Sequence, residues 1–326
     1  MLTRRHAISA AIACALPSVA TAAPGKASRL RMGYLLSTDS QLGAAAGAMA
    51  EDIDRATAGR IQIQQFPDAA LGGEVEMLKA IQLGAIDLAM ITGAALPAAV
   101  PACGIFNIPF LFNDAAHAHT VLDGPIGDFY RQQLIAKDLI ALAWGENGLR
   151  HLTNARHPVA TPEDLKGLKL RLPQSETMLA GFRALGADVA PLPFPQLYAA
   201  LESGQFDGQE NPIATIRAAR FAQVQKFLTL SGHVYDPAII VMSADAHDDL
   251  APSDQALMLA AARRGAAASR SFAATAETSG VAALQQAGMQ VVAKMDRARF
   301  VAAMAPANAM FEQQFGHDRI AEIRGA

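Results

Sequence analysis

Cysteine is almost missing: the 326 residues contain Cys14 and Cys103 and no other. Cys14 falls in a leader-like segment, so the mature chain keeps a single thiol, which excludes an intramolecular disulfide and a cysteine metal cluster. Charge is also sparse, at 17% of residues, with a formal net charge of −3 and no basic run. That balance argues against nucleic acid or an anionic membrane as partner. The common catalytic signatures are absent too: no G-x-S-x-G, no H-E-x-x-H, no P-loop and no Rossmann glycine fingerprint. Nothing in the composition reads as disordered, collagen-like or coiled coil. What the chain does have is apolar material, 52% of residues but only 6% aromatic. Its length suits two globular domains, each able to bury a core.

The first residues read as an export signal. MLTRRH is basic, AISAAIACALPSVA is apolar, and Ala20-Thr21-Ala22 is a small-x-small cleavage site. Cleavage is expected after Ala22 or Ala23, making residues 1–22 a signal peptide and the mature protein periplasmic. Removing it takes away Arg4 and Arg5 and no acid, which moves the net charge from −3 to −5. Arg4-Arg5 after a threonine hints at twin-arginine export. Cys14 does not read as a lipoprotein cysteine, because Ala11-Ile12-Ala13 before it lacks the usual leucine. Leu88 to Asn113 carries no charge and is long enough to cross a bilayer, but Pro97, Pro101 and Pro109 interrupt it. It reads as a buried strand followed by a buried loop.

Downstream, strand-like and helix-like segments alternate. RLRMGYLL, RIQIQQFP and AIDLAMITG are strands, separated by the helices QLGAAAGAMAEDIDRATAG and EVEMLKAIQLG. This β-α-β-α-β order predicts a mainly parallel sheet covered on both faces. GLKLRLP, ADVAPLP and QFDGQENP repeat the plan, with the helices SETMLAGFRALG and PQLYAALESG between them. Overlaying the halves puts Gly84 on Gly204 and Asp87 on Asp207, which marks duplicated lobes. The expected fold is therefore α/β and two-lobed, of the type II-like periplasmic binding protein kind. Lobe 1 is assigned 23–147 plus 236–275, and lobe 2 148–235 plus 276–326. A helix over 254–287, capped by Ser253 after Pro252, is free of proline and spans about 50 Å, enough to lie across both lobes. Gly265 and Gly280 are its expected bends. A strand MQVVAKM and a final helix from about Asp296 complete the chain.

Polar residues gather at the predicted strand ends of the second lobe. Arg171 ends GLKLRLP just before a helix, and Gln209, Glu210 and Asn211 end the strand before Pro212. Trp144, Glu146, Asn147 and Arg150 stand at the lobe crossover. Ligands of open α/β sheets bind beyond the carboxyl ends of strands, and arginine suits a carboxylate because its planar fork donates two parallel bonds. Arg171 is therefore expected to point into a cleft and bind an acid. His117 and His119 stand two apart on a helix, on different faces, and do not suggest a metal site. His233 is read either as lining a cleft or as a hydrogen-bonded interior histidine. Asp87 and Asp207 read as helix–strand junction fixtures.

With these residues in place, the chain resembles the solute-binding proteins of TRAP transporters, the tripartite ATP-independent periplasmic carriers, in the C4-dicarboxylate-binding family. The likeness runs through FPDAALGGEVEMLKAIQLGAIDLAM, GLRHLTNARHPVATPEDLKGLKLRLPQS, LGADVAPLPFPQLYAALESGQFDGQENP and HVYDPAIIVMS. It implies an ion pair between Arg171 and a substrate carboxylate, a ligand contact from Asn211 and an assisting role for Arg150. Glu210, Asn147, Gln209, Tyr235 and Glu74 fill out the expected contact set. The first strand–helix loop, LLSTDSQLG, departs from many members, and there Asp39 or Gln41 is expected to alter specificity. The resemblance implies a monomeric receptor for a small organic acid that serves small and large membrane permease subunits. Catalysis, cofactor and metal are not expected. Two other readings remain: a periplasmic enzyme with an acid–base pair or nucleophile in its cleft, and a binding protein serving a sensor or another carrier.

Overall fold

In the computed structural model residues 28–326 are described; the leader, with Arg4, Arg5, Cys14 and the cleavage site, lies outside the described residues. The strands are β1 (Ser28–Gly33), β2 (Ile61–Phe66), β3 (Leu88–Thr92), β4 (Leu139–Asn154), β5 (Lys169–Leu172), β6 (Asp188–Pro191), β7 (Gly208–Pro212), β8 (Phe227–Ser243) and β9 (Gln290–Val292). Helices α1 (Gln41–Ala56) and α2 (Glu74–Gln82) follow β1 and β2. Next come α3 (Ala115–Asp123) and α4 (Pro125–Ile135), then α5 (Glu176–Ala184) and α6 (Leu197–Glu202) on either side of β6. Then α7 (Ile213–Ala218) leaves β7, α8 (Ala244–Asp248) leaves β8, and the long α9 covers Pro252–Gln286. Three short helices, α10 (Arg297–Ala303), α11 (Ala305–Phe315) and α12 (His317–Arg324), close the chain.

The β-α-β-α-β halves form as their patterns require. Alternation in β2 (IQIQQF) gives a mixed burial pattern, whereas LAMIT in β3 is buried throughout, as a strand covered on both faces must be. In α1, Ser40 caps the helix by accepting from the Gly43 amide, and Leu42, Ala45, Ala46, Met49 and Ile53 form the buried stripe. Asp87 and Asp207 do the same job in the two halves. One accepts from the backbone amide of Arg31 within β1 at 2.7 Å, the other from that of Lys169 at the start of β5 at 2.9 Å, each fastening the neighbouring parallel strand. The uncharged Leu88–Asn113 stretch is β3 followed by two short 3-10 turns, Leu96–Ala98 and Pro101–Asn107. Among the described residues no helix is long and apolar enough to cross a membrane.

The sheet is where the structure goes beyond the sequence reading. Each half keeps a parallel wing, β2-β1-β3 and β7-β5-β6, but the wings are parts of one sheet ordered β2-β1-β3-β8-β4-β7-β5-β6, with β9 added beside β8. The joints are antiparallel: β3 with β8, β8 with β4, and β4 with β7. β4 and β8 are 16 and 17 residues long, and run from one wing into the other. Their ladder slips at Ala141/Ala143, Glu146/Gly148 and Arg150/Leu152. Such bulges bend a strand and re-aim side chains. The last two fall at Asn147 and Arg150, which line the cleft.

Several boundaries are corrected. Ala251 occupies the N-cap position of α9 and Pro252 the first helical position, where its missing amide costs nothing. The helix continues through Gly265 and Gly280 without a break. These glycines serve close approach instead: a Cβ on Gly265 would stand 2.6 Å from the Ala45 carbonyl, and one on Gly280 2.5 Å from Ile213 Cγ2. The helix thereby packs on α1 and β4 at one end and on α7 at the other. Of the expected strand MQVVAKM only Gln290–Val292 pairs. Asp296 does cap a helix, accepting from the Arg299 amide, but the terminal segment is three helices, the last two parted at Gly316 with φ of 86°.

Candidate functional site

Beyond the carboxyl ends of β1, β3 and β5 two adjoining cavities open, with about 320 and 360 Å³ of empty space. Leu35, Glu74, Ala94, Arg171, Pro173 and Phe194 line both. The first is completed by Leu36, Leu42, Thr92, Asn147, Arg150, Asn211 and Thr215. Residues from both wings and from the β4 bulge thus meet in one place. A larger open groove at the other end of β1, lined by Arg60, Asp87 and Asp254 among others, is a poorer candidate. Its Arg60 is already held by both oxygens of Asp254 at 2.9 Å.

Two buried arginines give the site its character. Arg150, 2% exposed, donates from Nε to Glu210 Oε2 at 2.5 Å and from Nη2 to Glu210 Oε1 at 2.8 Å. Its Nη1 donates to Asp236 Oδ2 at 2.6 Å, and Nη2 also reaches Asn211 Oδ1 at 3.2 Å. Burial works against its charge, but Glu210 and Asp236 outweigh that and hold its pKa above the ordinary value. For Glu210, burial is overcome by Arg150, which brings the carboxyl down to about 2. Asp236, desolvated more than Arg150 can offset, is raised.

Arg171 is 3% exposed and differs completely. Among the described residues its one hydrogen bond runs from Nε to the Leu192 carbonyl at 2.8 Å. No carboxylate pairs with it among the described residues, and burial foremost, with Arg150 adding to it, lowers its pKa to about 9. It stays charged at neutral pH, at the cost of having left water. Its place follows from β5, where it sits in the middle of the wing between Ala190 of β6 and Gln209 of β7. Lys169, on the same face, is exposed at the strand start, while Pro193 and Phe194 close over the end. The alternation in KLRL placed the side chain; the covering loop buried it.

Of the other expected contact residues, Asn147, Asn211 and Glu74 line the cavities. Asn147 donates to Asp236 Oδ2 at 2.7 Å and accepts from Gln41 Nε2 at 2.6 Å. Asn211 donates to Gln209 Oε1 at 2.5 Å. Glu74 accepts from the Thr92 amide at 2.6 Å and the Thr92 hydroxyl at 2.9 Å. The remaining expected residues do not line them. Glu210 and Gln209 are buried behind Arg150 and Asn211, Gln209 donating to Thr153 Oγ1 at 2.8 Å. Gln41 lies a layer back, bonded to Asn147 and to Thr215 Oγ1 at 2.9 Å. Asp39 is exposed on the loop, because Ser40, not Asp39, turns inward to cap α1. Tyr235 is buried against Phe112 and His119 in the core, with burial raising its hydroxyl pKa.

Missed by the sequence reading were Asp236, the second anion on Arg150, and the apolar wall of Leu35, Leu36, Pro173 and Phe194. Asp236 stands in the quoted HVYDPAIIVMS, so a buried acid beside proline was a usable signal. Apolar loop residues gave none. His233 takes the interior role, with Nδ1 at 2.7 Å from Ser231 Oγ and Nε2 at 3.1 Å from Glu210 Oε2. His117 and His119 serve different partners, the Ile323 carbonyl and Glu146.

The model of the bacterial extracellular solute-binding proteins of family 7 matches residues 32–314. A solute-binding protein of Verminephrobacter eiseniae is 42% identical over 297 residues, 91% of this chain and 89% of that one. A TRAP periplasmic solute-binding protein from Polaromonas sp. JS666, bound to D-erythronate, superposes with a TM-score of 0.90 at 41% identity, over 91% of this chain and 98% of that one. The sugar acid binding protein of Advenella mimigardefordensis, in complex with galactonate, gives 0.89 at 32% identity, over 92% and 97%.

Proposed function

The chain belongs to the bacterial extracellular solute-binding proteins of family 7, the periplasmic receptors of TRAP transporters, and on that premise we propose that it captures a small organic acid by its carboxylate on Arg171. The observation that carries this reading is a buried guanidinium whose single hydrogen bond, among the described residues, goes to a main-chain carbonyl. A carboxylate would supply both the missing charge and a planar acceptor for the unused fork. Asn211 and Asn147 lie on the same cavity, while Arg150 holds the floor rather than the ligand. Capture involves closure of lobe 1 (23–147 plus 236–275) on lobe 2 (148–235 plus 276–326), hinged where the β4 bulge at Glu146/Gly148 faces Asp236. The Gln41–Thr215 bond is one contact across that division. The loaded receptor, a monomer exported by its leader, hands the unaltered acid to small and large permease subunits in the membrane.

Calorimetric titration, starting from D-erythronate and D-galactonate and widened by a thermal-shift screen, tests the reading. Truncating one member of a buried charge pair typically costs about 2–5 kcal/mol, so Arg171→Ala should weaken binding roughly 30- to several-thousand-fold. Arg171→Lys keeps the charge without the fork and should recover part of that loss. Equal affinity of the wild type and Arg171→Ala would remove Arg171 from the site. Acid returned chemically changed in proportion to protein would make this an enzyme.

A further inference from the structure

Resting on Arg171 as the carboxylate anchor, we propose that Glu74 restricts this cleft to hydroxylated acids with one carboxylate and turns away the matching dicarboxylates. Glu74 and Arg171 line the same two adjoining cavities, so an acid held by Arg171 lies against Glu74. The Thr92 amide and hydroxyl fix the two oxygens of Glu74, and each oxygen keeps a lone pair with which to accept a ligand hydroxyl. The cations lining these cavities, among the described residues, are Arg150 and Arg171. Arg150 is committed to Glu210 and Asp236. One open guanidinium matches one carboxylate. A second carboxylate finds no cation and meets Glu74, and like charges facing each other in a site shut off from water are strongly unfavourable.

The protonation of Glu74 sets how strict this selection is. Facing it are Arg171 on β5, Arg150 on β4 and Asp236 on β8, with Glu210 on β7 behind Arg150 and the uncharged Thr92 on β3; Glu76 lies on its own helix. Burial, opposed by the Thr92 amide and reinforced by Asp236, raises the Glu74 carboxyl to about 7. Below that pH Glu74 is neutral and tolerates a second carboxylate; above it Glu74 is an anion and repels one. Discrimination against dicarboxylates therefore rises with pH.

The test is calorimetric titration of the mature chain with two matched pairs, D-erythronate against meso-tartrate and D-galactonate against galactarate. The members of each pair differ only in a terminal CH2OH or carboxylate. At about pH 8 the wild type should prefer the monocarboxylate of the pair it accepts by roughly tenfold or more. At about pH 5.5, where both ligand carboxylates stay ionised, that preference should shrink several-fold. Glu74→Gln, which keeps the Thr92 bonds, should show the reduced preference at both pH values. A wild type that binds the dicarboxylate as tightly as its partner at the higher pH overturns the proposal. So does a Glu74→Gln variant with the wild-type preference. Should that variant fail to fold, the wild-type series decides, since a preference that does not change with pH is equally fatal. A wild type that takes no member of either pair, or an Arg171→Ala variant that binds the monocarboxylate unchanged, overturns the carboxylate anchor itself and this inference with it.

Discussion

Arg150 and Arg171 stand on neighbouring parts of one cleft, are buried to nearly the same degree, and are in opposite states. Arg150 is saturated: two carboxylates and an asparagine take its donors, and it ties β4 to β7 and β8. Arg171, among the described residues, spends one donor on a carbonyl and bonds no carboxylate, Glu210 and Glu74 acting on its charge only from a distance. Burial alone therefore does not mark a binding residue. A buried charge whose partners are all internal is part of the scaffold, while a buried charge without a counter-ion is a cost that the fold retains for something outside it. The resemblance to TRAP receptors implies a ligand role for both arginines, with Arg150 as the assistant; the function proposed above divides the two roles by their different partners.

The division can be broken most forcefully at Arg150. Arg150→Ala leaves Glu210 and Asp236 buried without their cation, and removing one partner of such a pair typically costs about 3–5 kcal/mol. Urea unfolding of the unliganded protein should show a loss of that order. A fall in affinity with stability intact would instead make Arg150 a ligand residue and erase the contrast.

How much of this was open to sequence reading depends on the range of the interactions. Local signals sufficed for the two wings, and the Gly84–Asp87 and Gly204–Asp207 repeats marked both aspartates as junction fixtures, while the amides they hold are visible only in the fold. β4 and β8 do not read as strands in the sequence because bulges and buried polar residues break the alternation that betrays a half-buried strand. Gly148, at φ of 129°, is one such break. The site residues were legible as types gathered at strand ends, but not as partners. Which buried acid neutralises which arginine is a tertiary fact, so the commitment of Arg150 to Glu210 and Asp236 is not visible in sequence. Tyr235 and Asp39 do not line the cavities for a simpler reason. One side chain turns into the aromatic cluster and the other into solvent, and neither direction follows from a loop or a bulged strand in sequence.

A gentler way to sharpen the contrast is acid. Glu210 has a folded-state pKa of about 2 against a reference of 4.5, so the unfolded chain binds more protons between these values. Its stabilisation is complete above about pH 4.5 and is lost as pH falls toward 2, up to about 3 kcal/mol in all. Asp236, raised above 3.8, has the opposite sign: its contribution is present below that value and is lost as pH rises through its folded pKa. Arg171 and its one bond should add nothing in this acid window. Unfolding free energy measured between about pH 5 and 2 should fall steeply for the wild type and for Arg171→Met alike, and should flatten in Glu210→Gln. A slope that survives Glu210→Gln would assign the acid sensitivity to other carboxylates.

The smallest expected change is the most discriminating one: the stability of Arg171→Met without ligand. Methionine keeps much of the length and apolar stem while removing the charge. The single bond lost, to the Leu192 carbonyl, carries a net value of about 1 kcal/mol. Against it stands the cost of holding a cation out of water. A base whose folded-state pKa is lowered, here to about 9 from 12.5, is destabilising at every pH below the folded value, so at neutral pH the whole penalty is present and the substitution removes it. The two effects oppose each other, and the penalty is the larger one, because burial outweighs the distant attraction of Glu210 and Glu74. Thermal and urea unfolding at pH 7 should therefore place Arg171→Met no lower than about 1 kcal/mol below the wild type, and level with it or above in the expected case. The same variant should lose the ligand-induced rise in melting temperature that the wild type shows with its acid. A loss of several kcal/mol without ligand would mean that Arg171, like Arg150, is held by the scaffold, and the cleft would then have no cation free for a carboxylate.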